Sequence, residues 1–358
     1  MAGSPYASAL GRFKALAPTL LPKEAYPPLV QARDTQEMLK LLEPTAYGPE
    51  LVSAGATYQG APLIEVAINR LFVHRNRLVY EAAPYAGKPL VEAYLRRWDI
   101  ENIGLVLAAK AQGRPLSETE AFLVSSRDVP AGLFAGPMGL DDFRLLLQQP
   151  SLEAVASQLV RFGYGGPLLP LLEEYGRTRN IFPFLQALDR EYYRRLFEQG
   201  KFFQGDEWII REFLRGEVDV RNILLMLKGK HANLPVEEVL ARYLEWGNLA
   251  RTRVADLYNA RGVVELAQQL LPTYPSLAEG IERYPGDHSL VAFEVALTRD
   301  RAIAELRRQR AFPLSINILF AFLMLSELER ADIRRIAYGK LYGVPNDELS
   351  RSLVVPRL

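Results

Sequence analysis

An all-α protein made of three similar helical domains is predicted by three features of the sequence. Apolar residues recur at three- and four-residue steps, three segments align with one another without a gap, and period-two alternation is lacking, so strands have little support. The 358 residues also exceed one hydrophobic core, which stops growing at roughly 250–300 residues, so several units are expected.

The aligned segments are residues 98–115 (WDIENIGLVLAAKAQGRP), 218–235 (VDVRNILLMLKGKHANLP) and 328–345 (LERADIRRIAYGKLYGVP). Each carries an acid near its start: Asp99, Asp219 and Glu329. Asn102, Asn222 and Asp332 follow, then Ile103, Ile223 and Ile333, then Lys110, Lys230 and Lys340. Pro115, Pro235 and Pro345 close the match, each followed by an acid, Glu118, Glu237 and Glu348. Proline just inside a helix start, with acids in the first turn, signals a new helix. Upstream, Tyr47, Tyr164 and Tyr274 stand beside Gly or Pro. A helix later come residues 65–69 (EVAIN), 185–189 (LQALD) and 294–298 (EVALT).

In order, each unit therefore reads as a short helix, a Tyr/Gly/Pro corner, a medium helix, a long helix and a Pro-started short helix. In the first long helix Val91, Leu95, Trp98, Ile103, Val106 and Ala109 give the helical period. Residues 136–139 (GPMG), 164–167 (YGGP) and 284–287 (YPGD) read as loops. The lysines are 120 and then 110 residues apart, which suggests triplication, a pseudo-threefold body and units at 1–125, 126–245 and 246–358.

At about 100° per residue, acid, amide, isoleucine and lysine fall within an arc of roughly 100° on each long helix. Acid and lysine are about 16 Å apart along the axis, too far to pair within one helix. Asp99, Asn102, Lys110, Asp219, Asn222, Lys230, Glu329, Asp332 and Lys340 thus form a repeated polar stripe. Two readings stand: an inter-unit scaffold of buried hydrogen bonds, or the lining of a central socket for a partner.

Catalytic chemistry finds no support. There is no cysteine, hence no disulfide, thiolate or Cys-type zinc site. His74, His231 and His288 are scattered, without metal-ligand spacing. Gly163, Gly165 and Gly166 precede Pro167 and no Gly-Lys-Ser/Thr follows, so they read as a corner rather than a phosphate loop. Glu173–Glu174, Asp141–Asp142 and Glu237–Glu238 read as solvated helix faces, and Arg307, Arg308 and Arg310 as a solvated face or a docking patch. Trp98, Trp208 and Trp246 read as core or corner aromatics. With 43 Lys+Arg against 42 Asp+Glu, the chain lacks the basic excess of a nucleic-acid binder. The longest uncharged stretch, residues 311–326, is shorter than the roughly 20 residues of a membrane span, and the opening residues lack a signal-peptide core. No cofactor and no metal are expected.

Residues 6–21 (YASALGRFKALAPTLL), Thr45 with Tyr47, 94–113, 187–197, 217–230 and 312–345 together resemble the C/d subunit family of vacuolar-type and archaeal A-type rotary ATPases. The likeness runs through essentially the whole chain in order. Asp332 stands where that family more often has Asn, which would exchange an amide for a carboxylate in a buried bond. The resemblance implies a pseudo-threefold funnel of three helical domains in the central stalk, without nucleotide binding. Its partners would be the rotor shaft and the membrane proteolipid ring, on the cytoplasmic side, in a machine that moves protons or sodium ions. A generic helical-repeat adaptor, built as an open solenoid, is the alternative.

Overall fold

The computed structural model describes residues 6–126, 129–130, 138–203 and 207–358. The first third holds α1 (Ala7–Leu16), α2 (Tyr26–Gln31), α3 (Thr35–Leu42), α4 (Gly48–Ala54), α5 (Gly60–Ala82), α6 (Lys88–Leu95), α7 (Arg97–Ala111) and α8 (Leu116–Thr119). The second holds α9 (Leu140–Gln148), α10 (Leu152–Leu159), α11 (Leu172–Thr178), α12 (Phe182–Gly200), α13 (Glu207–His231) and α14 (Val236–Arg242). The third holds α15 (Arg251–Tyr258), α16 (Val263–Leu270), α17 (Leu277–Asp287), α18 (Val291–Ala311), α19 (Asn317–Leu341) and α20 (Asn346–Ser352). The protein is all-α; a two-residue antiparallel ladder, Ser125–Ser126 with Val129–Pro130, is a local exception.

Local chemistry sets the helix ends. Asp34 Oδ1 accepts the amides of Gln36 and Glu37 at 2.9 Å and starts α3, and Ser151 caps α10 through the Ala154 amide. The long helices α7, α13 and α19 stop in the same way. Gly113, Asn233 and Gly343 take left-handed φ of 65°, 54° and 70°. This turns the next amide, of Arg114, Leu234 or Val344, back to the carbonyl of Ala109, Gly229 or Gly339 at 2.8–2.9 Å. These are Schellman ends, which satisfy otherwise orphaned carbonyls. The following short helix then folds back: Leu349 of α20 lies where a Cβ on Gly339 would stand, so α20 seats only on a residue without one.

Several expectations are corrected. Pro235 and Pro345 occupy the capping position rather than the first helical turn; their extended backbone ends the preceding loop before the helix begins. Residues 284–287 are not a loop: α17 runs through Pro285 to Asp287 and ends at His288, at φ 51°. Pro285 has no amide to return to the Ile281 carbonyl, and the helix ends two residues later. Trp208 is no core residue but 52% exposed, its ring edge-on to Phe312 at 5.0 Å. Trp98 is buried, and Trp246 stacks on Phe197 at 6.2 Å. Of the expected loop at 136–139, residues 136 and 137 lie outside the described residues.

Each long helix completes a core formed by the following third of the chain. Ile103, Val106 and Leu107 of α7 are buried with Phe143, Val155 and Leu188. Ile223, Met226 and Leu227 of α13 are buried with Val254, Leu266 and Phe293. Ile333 and Ile336 of α19 return to the start of the chain and are buried with Tyr26, Met38, Tyr47 and Ile64. A fourth cluster draws on all three parts, including Phe72 and Trp98, Tyr193 and Phe213, and Phe320 and Leu328. The last third thus packs on the first, and the chain closes on itself.

Candidate functional site

The long helices carry two polar stripes on opposite faces. The first is the repeated polar stripe, whose six acid and amide or acid positions are 4% exposed or less. Asn102 Oδ1 accepts the Val124 amide at 2.8 Å while its Nδ2 donates to the Val124 carbonyl at 3.2 Å. Asn222 does the same with Leu244, at 3.0 and 2.8 Å. In each case the partner lies 22 residues on, where the chain leaves the Pro-led short helix. Asp332 also meets the residue 22 positions on, Val354, but has no donor to offer its carbonyl. It instead accepts two amides, Val354 at 2.9 Å and Val355 at 2.8 Å, and Arg335 approaches at 3.1 Å. Burial raises the Asp332 carboxyl to about 6, against the lowering effect of these amides and Arg335.

The acids join successive thirds of the chain. Asp99 Oδ2 accepts from Tyr164 at 2.6 Å. Its other oxygen is buried without a partner, and burial lifts this carboxyl to about 6, opposed by the tyrosine bond and by Arg96. Asp219 Oδ1 accepts the amides of Asn248 and Leu249 at 2.7 and 2.9 Å; burial raises it too. Burial, then the negative charges of Asp219 and Asp300, pushes the Tyr274 hydroxyl up to about 12. Glu329 closes the series on the first corner. Its Oε1 accepts from Tyr47 at 2.5 Å and Arg75 at 2.7 Å, and its Oε2 accepts the Leu21 amide at 2.5 Å. The Arg75–Glu329 pair is 1% exposed on both sides, and Arg75 also donates to the Thr19 carbonyl.

The three lysines end the stripe without a common partner. Lys340 donates to the Val30 carbonyl and to Asn346, Lys230 lies 4.1 Å over the Tyr258 ring, and Lys110 is half-buried.

The second stripe begins two residues before each acid, roughly opposite the first on the helix. Arg97, Glu217 and Glu327 occupy equivalent places in the three segments, and they meet. Arg97 binds Glu217 through two parallel bonds of 2.7 and 3.0 Å, and Glu327 is 3.9 Å from it. Arg301 and Tyr193 also reach Glu217, at 2.9 and 2.6 Å. Burial alone would raise Glu217; Arg97 and Arg301, then Arg221, overcome it and hold the carboxyl well below the usual range. Above this point Glu101 ties α7 to Arg330 of α19 at 3.0 Å, and Arg221 of α13 binds Asp189 at 3.2 Å. Arg97, Glu101, Arg221 and Glu327 border a recess of about 230 Å³. Farther along, Ala108, Lys228 and Tyr338, then Gln112, Ala232 and Tyr342, hold equivalent places and are half-buried or exposed.

Elsewhere the three histidines are exposed; His231 and His288 both lie edge-on to the Tyr284 ring, at 6.0 and 5.6 Å, and His231 faces its hydroxyl at 2.7 Å. Among the described residues no group of three His, Asp or Glu side chains could hold a metal ion, and no helix is long and apolar enough to cross a membrane. The sequence reading missed Arg75; at its equivalent places stand Arg195, a part-exposed arginine that reaches Glu191 and the Gly163 carbonyl instead, and Ala304. It also missed the second stripe, whose signal is a charge reversal at repeat-equivalent positions.

Fold and side-chain arrangement define a helical scaffold: a closed body whose repeated polar groups bind its own chain. The whole of residues 9–352 matches the family model of the ATP synthase (C/AC39) subunit. The chain is 34% identical over 355 residues to the C subunit of the A-type ATP synthase of Thermoplasma acidophilum, covering 99% of each chain. It is 32% identical to its counterpart in Thermoplasma volcanium over 96% of each, and 27% identical to that of Methanocaldococcus jannaschii over 98% of this chain and 86% of the other. The chain belongs to the ATP synthase (C/AC39) subunit family, non-catalytic subunits of a rotary ATP synthase.

Proposed function

We propose that this protein is a central-stalk spacer that couples the rotor shaft of an A/V-type ATPase to its membrane proteolipid ring. Residues 1–125, 126–245 and 246–358 are its three domains, disposed about a pseudo-threefold axis as a funnel. The observation that carries this reading is the meeting of Arg97, Glu217 and Glu327, because repeat-equivalent side chains meet one another only near an axis that relates the repeats. The order of the acid contacts agrees: Asp99 reaches Tyr164 of the second third, Asp219 the amides of Asn248 and Leu249 in the last third, and Glu329 Tyr47 of the first.

A body that transmits torque must be stiff, and densely packed helices are. The polar stripe serves as the inter-domain scaffold, since Asp99, Asn102, Asp219, Asn222, Glu329 and Asp332 are buried and bonded within the chain. The opposite stripe lines the funnel and receives the shaft. The protein sits on the cytoplasmic side as a peripheral part of the complex and serves ATP-linked proton or sodium transport. Closure of the last third on the first opposes the open-solenoid adaptor.

Affinity purification of the tagged chain from native membranes tests this. Co-recovery of the shaft, proteolipid and catalytic-head subunits is expected. A chain recovered without any of them, from membranes that hold the intact ATPase, would refute the assignment.

A further inference from the structure

Repetition and variety are separated on the long helices. Packing positions recur in kind across the three, whereas positions along the second stripe differ in charge and size. Nearest the mouth the contrast is strongest. Tyr338 and Tyr342 stack at 6.4 Å, and Phe122 continues the run at 6.1 Å from Tyr338. Tyr342 is 77% exposed. The equivalent places hold Ala108 and Gln112 on α7, and Lys228 and Ala232 on α13. A recess of about 320 Å³ beside Tyr338, bordered by Glu101, Leu105, Phe122 and Arg334, separates α19 from α7.

The aromatic wall has no duplicate, and at the place of Tyr338 the helix α13 carries an exposed lysine, Lys228. Exposed aromatic side chains are strong anchors, and one cation placed to the side demands a carboxylate at one orientation only. Resting on the reading that the funnel takes the shaft, we propose that these residues fix a single rotational setting of the shaft out of three otherwise similar ones. The occupant is a helical tip with an apolar strip for Tyr338 and Tyr342 and a carboxylate a third of a turn away for Lys228. A rotor coupled in this way cannot slip by one domain under load.

The natural absence of cysteine makes the test direct. Glu118→Cys, Glu238→Cys and Glu348→Cys introduce single labels at three exposed, repeat-equivalent places beyond the long helices. The full chain, spin-labelled at one of them, is assembled with the shaft subunits of the same ATPase carrying one label near the tip, and the distance distribution is measured. Each site is expected to give one narrow distance, different from the other two. Superimposable, multi-peaked distributions from all three sites would overturn the proposal while leaving shaft binding, and so the functional reading, intact. Failure of the unlabelled wild-type chain to bind the shaft would overturn both.

Tyr338→Ala with Tyr342→Gln, which installs the α7 residues on α19, is expected to weaken shaft binding by about tenfold or more. Lys228→Glu, at an exposed position that leaves packing untouched, is expected to weaken it as well and to spread the distances. Unchanged affinity and unchanged distances in both variants would also overturn the proposal.

Discussion

The two faces of α7, α13 and α19 follow opposite rules. On the packing face the same kinds of side chain recur, and they meet similar partners: an amide or acid with the chain 22 residues on, and an acid with a corner of the next third. On the opposite face Arg97 faces Glu217 and Glu327, and Ala108 answers Lys228 and Tyr338. A copied surface can be buried against a copied core, but three copied charges brought to one axis would repel. One arginine against two glutamates is instead a neutralisable combination when Arg301 joins them.

Substitutions on the two faces should separate accordingly. The largest effect is expected where the chain closes. Arg75→Leu leaves Glu329 buried with its tyrosine and amide bonds but no countercharge, and should lower stability by about 3–5 kcal/mol in urea titration. A loss below the error of the titration would show that the last third is not held to the first through this pair.

Asn102→Ala and Asn222→Ala each strand a buried amide and carbonyl, and should cost about 1–3 kcal/mol by the same measurement. The two costs should be similar, since the geometry is shared; a large cost at one and none at the other would break the equivalence.

Asp99 gives a pH test. Its carboxyl is raised from 3.8 to about 6 by burial, so between those values the folded chain keeps a proton that the unfolded chain has lost. The contribution to stability thus falls as pH rises from about 4 to 6 and stays lost above. Asp99→Asn keeps an acceptor for Tyr164 and removes this loss, so it should gain about 1–3 kcal/mol on wild type at pH 7 and nothing near pH 4. An equal difference at both pH values would contradict the raised carboxyl.

The smallest effect belongs to the opposite face: Lys228→Ala should change stability by no more than about 0.5 kcal/mol, because its side chain is exposed.

Much of the packing face was legible. The acid, amide and lysine spacing placed one stripe on each helix, and the all-α class followed from periodicity. The partners were not legible, because Val124, Leu244 and Val354 present backbone, which has no residue signature. Nor was the handing of each long helix to the following core, since an apolar face does not say which neighbour covers it. Arg75 escaped because its partner Glu329 lies 254 positions along the chain, and no spacing rule signals a pairing between the last and first thirds. The second stripe escaped because a repeat search finds what is shared, and its information lies in difference.

Hydrogen exchange on the chain, alone and with the shaft subunits of its ATPase, tests the two-face account most directly. The amides of Val124, Leu244 and Val354 should be protected in both states, while the last turns of α13 and α19, around Lys228 and Tyr338 to Tyr342, should slow when the shaft is added. Slowing confined to the outer helices α3, α10 and α16, with those last turns unchanged, would contradict it.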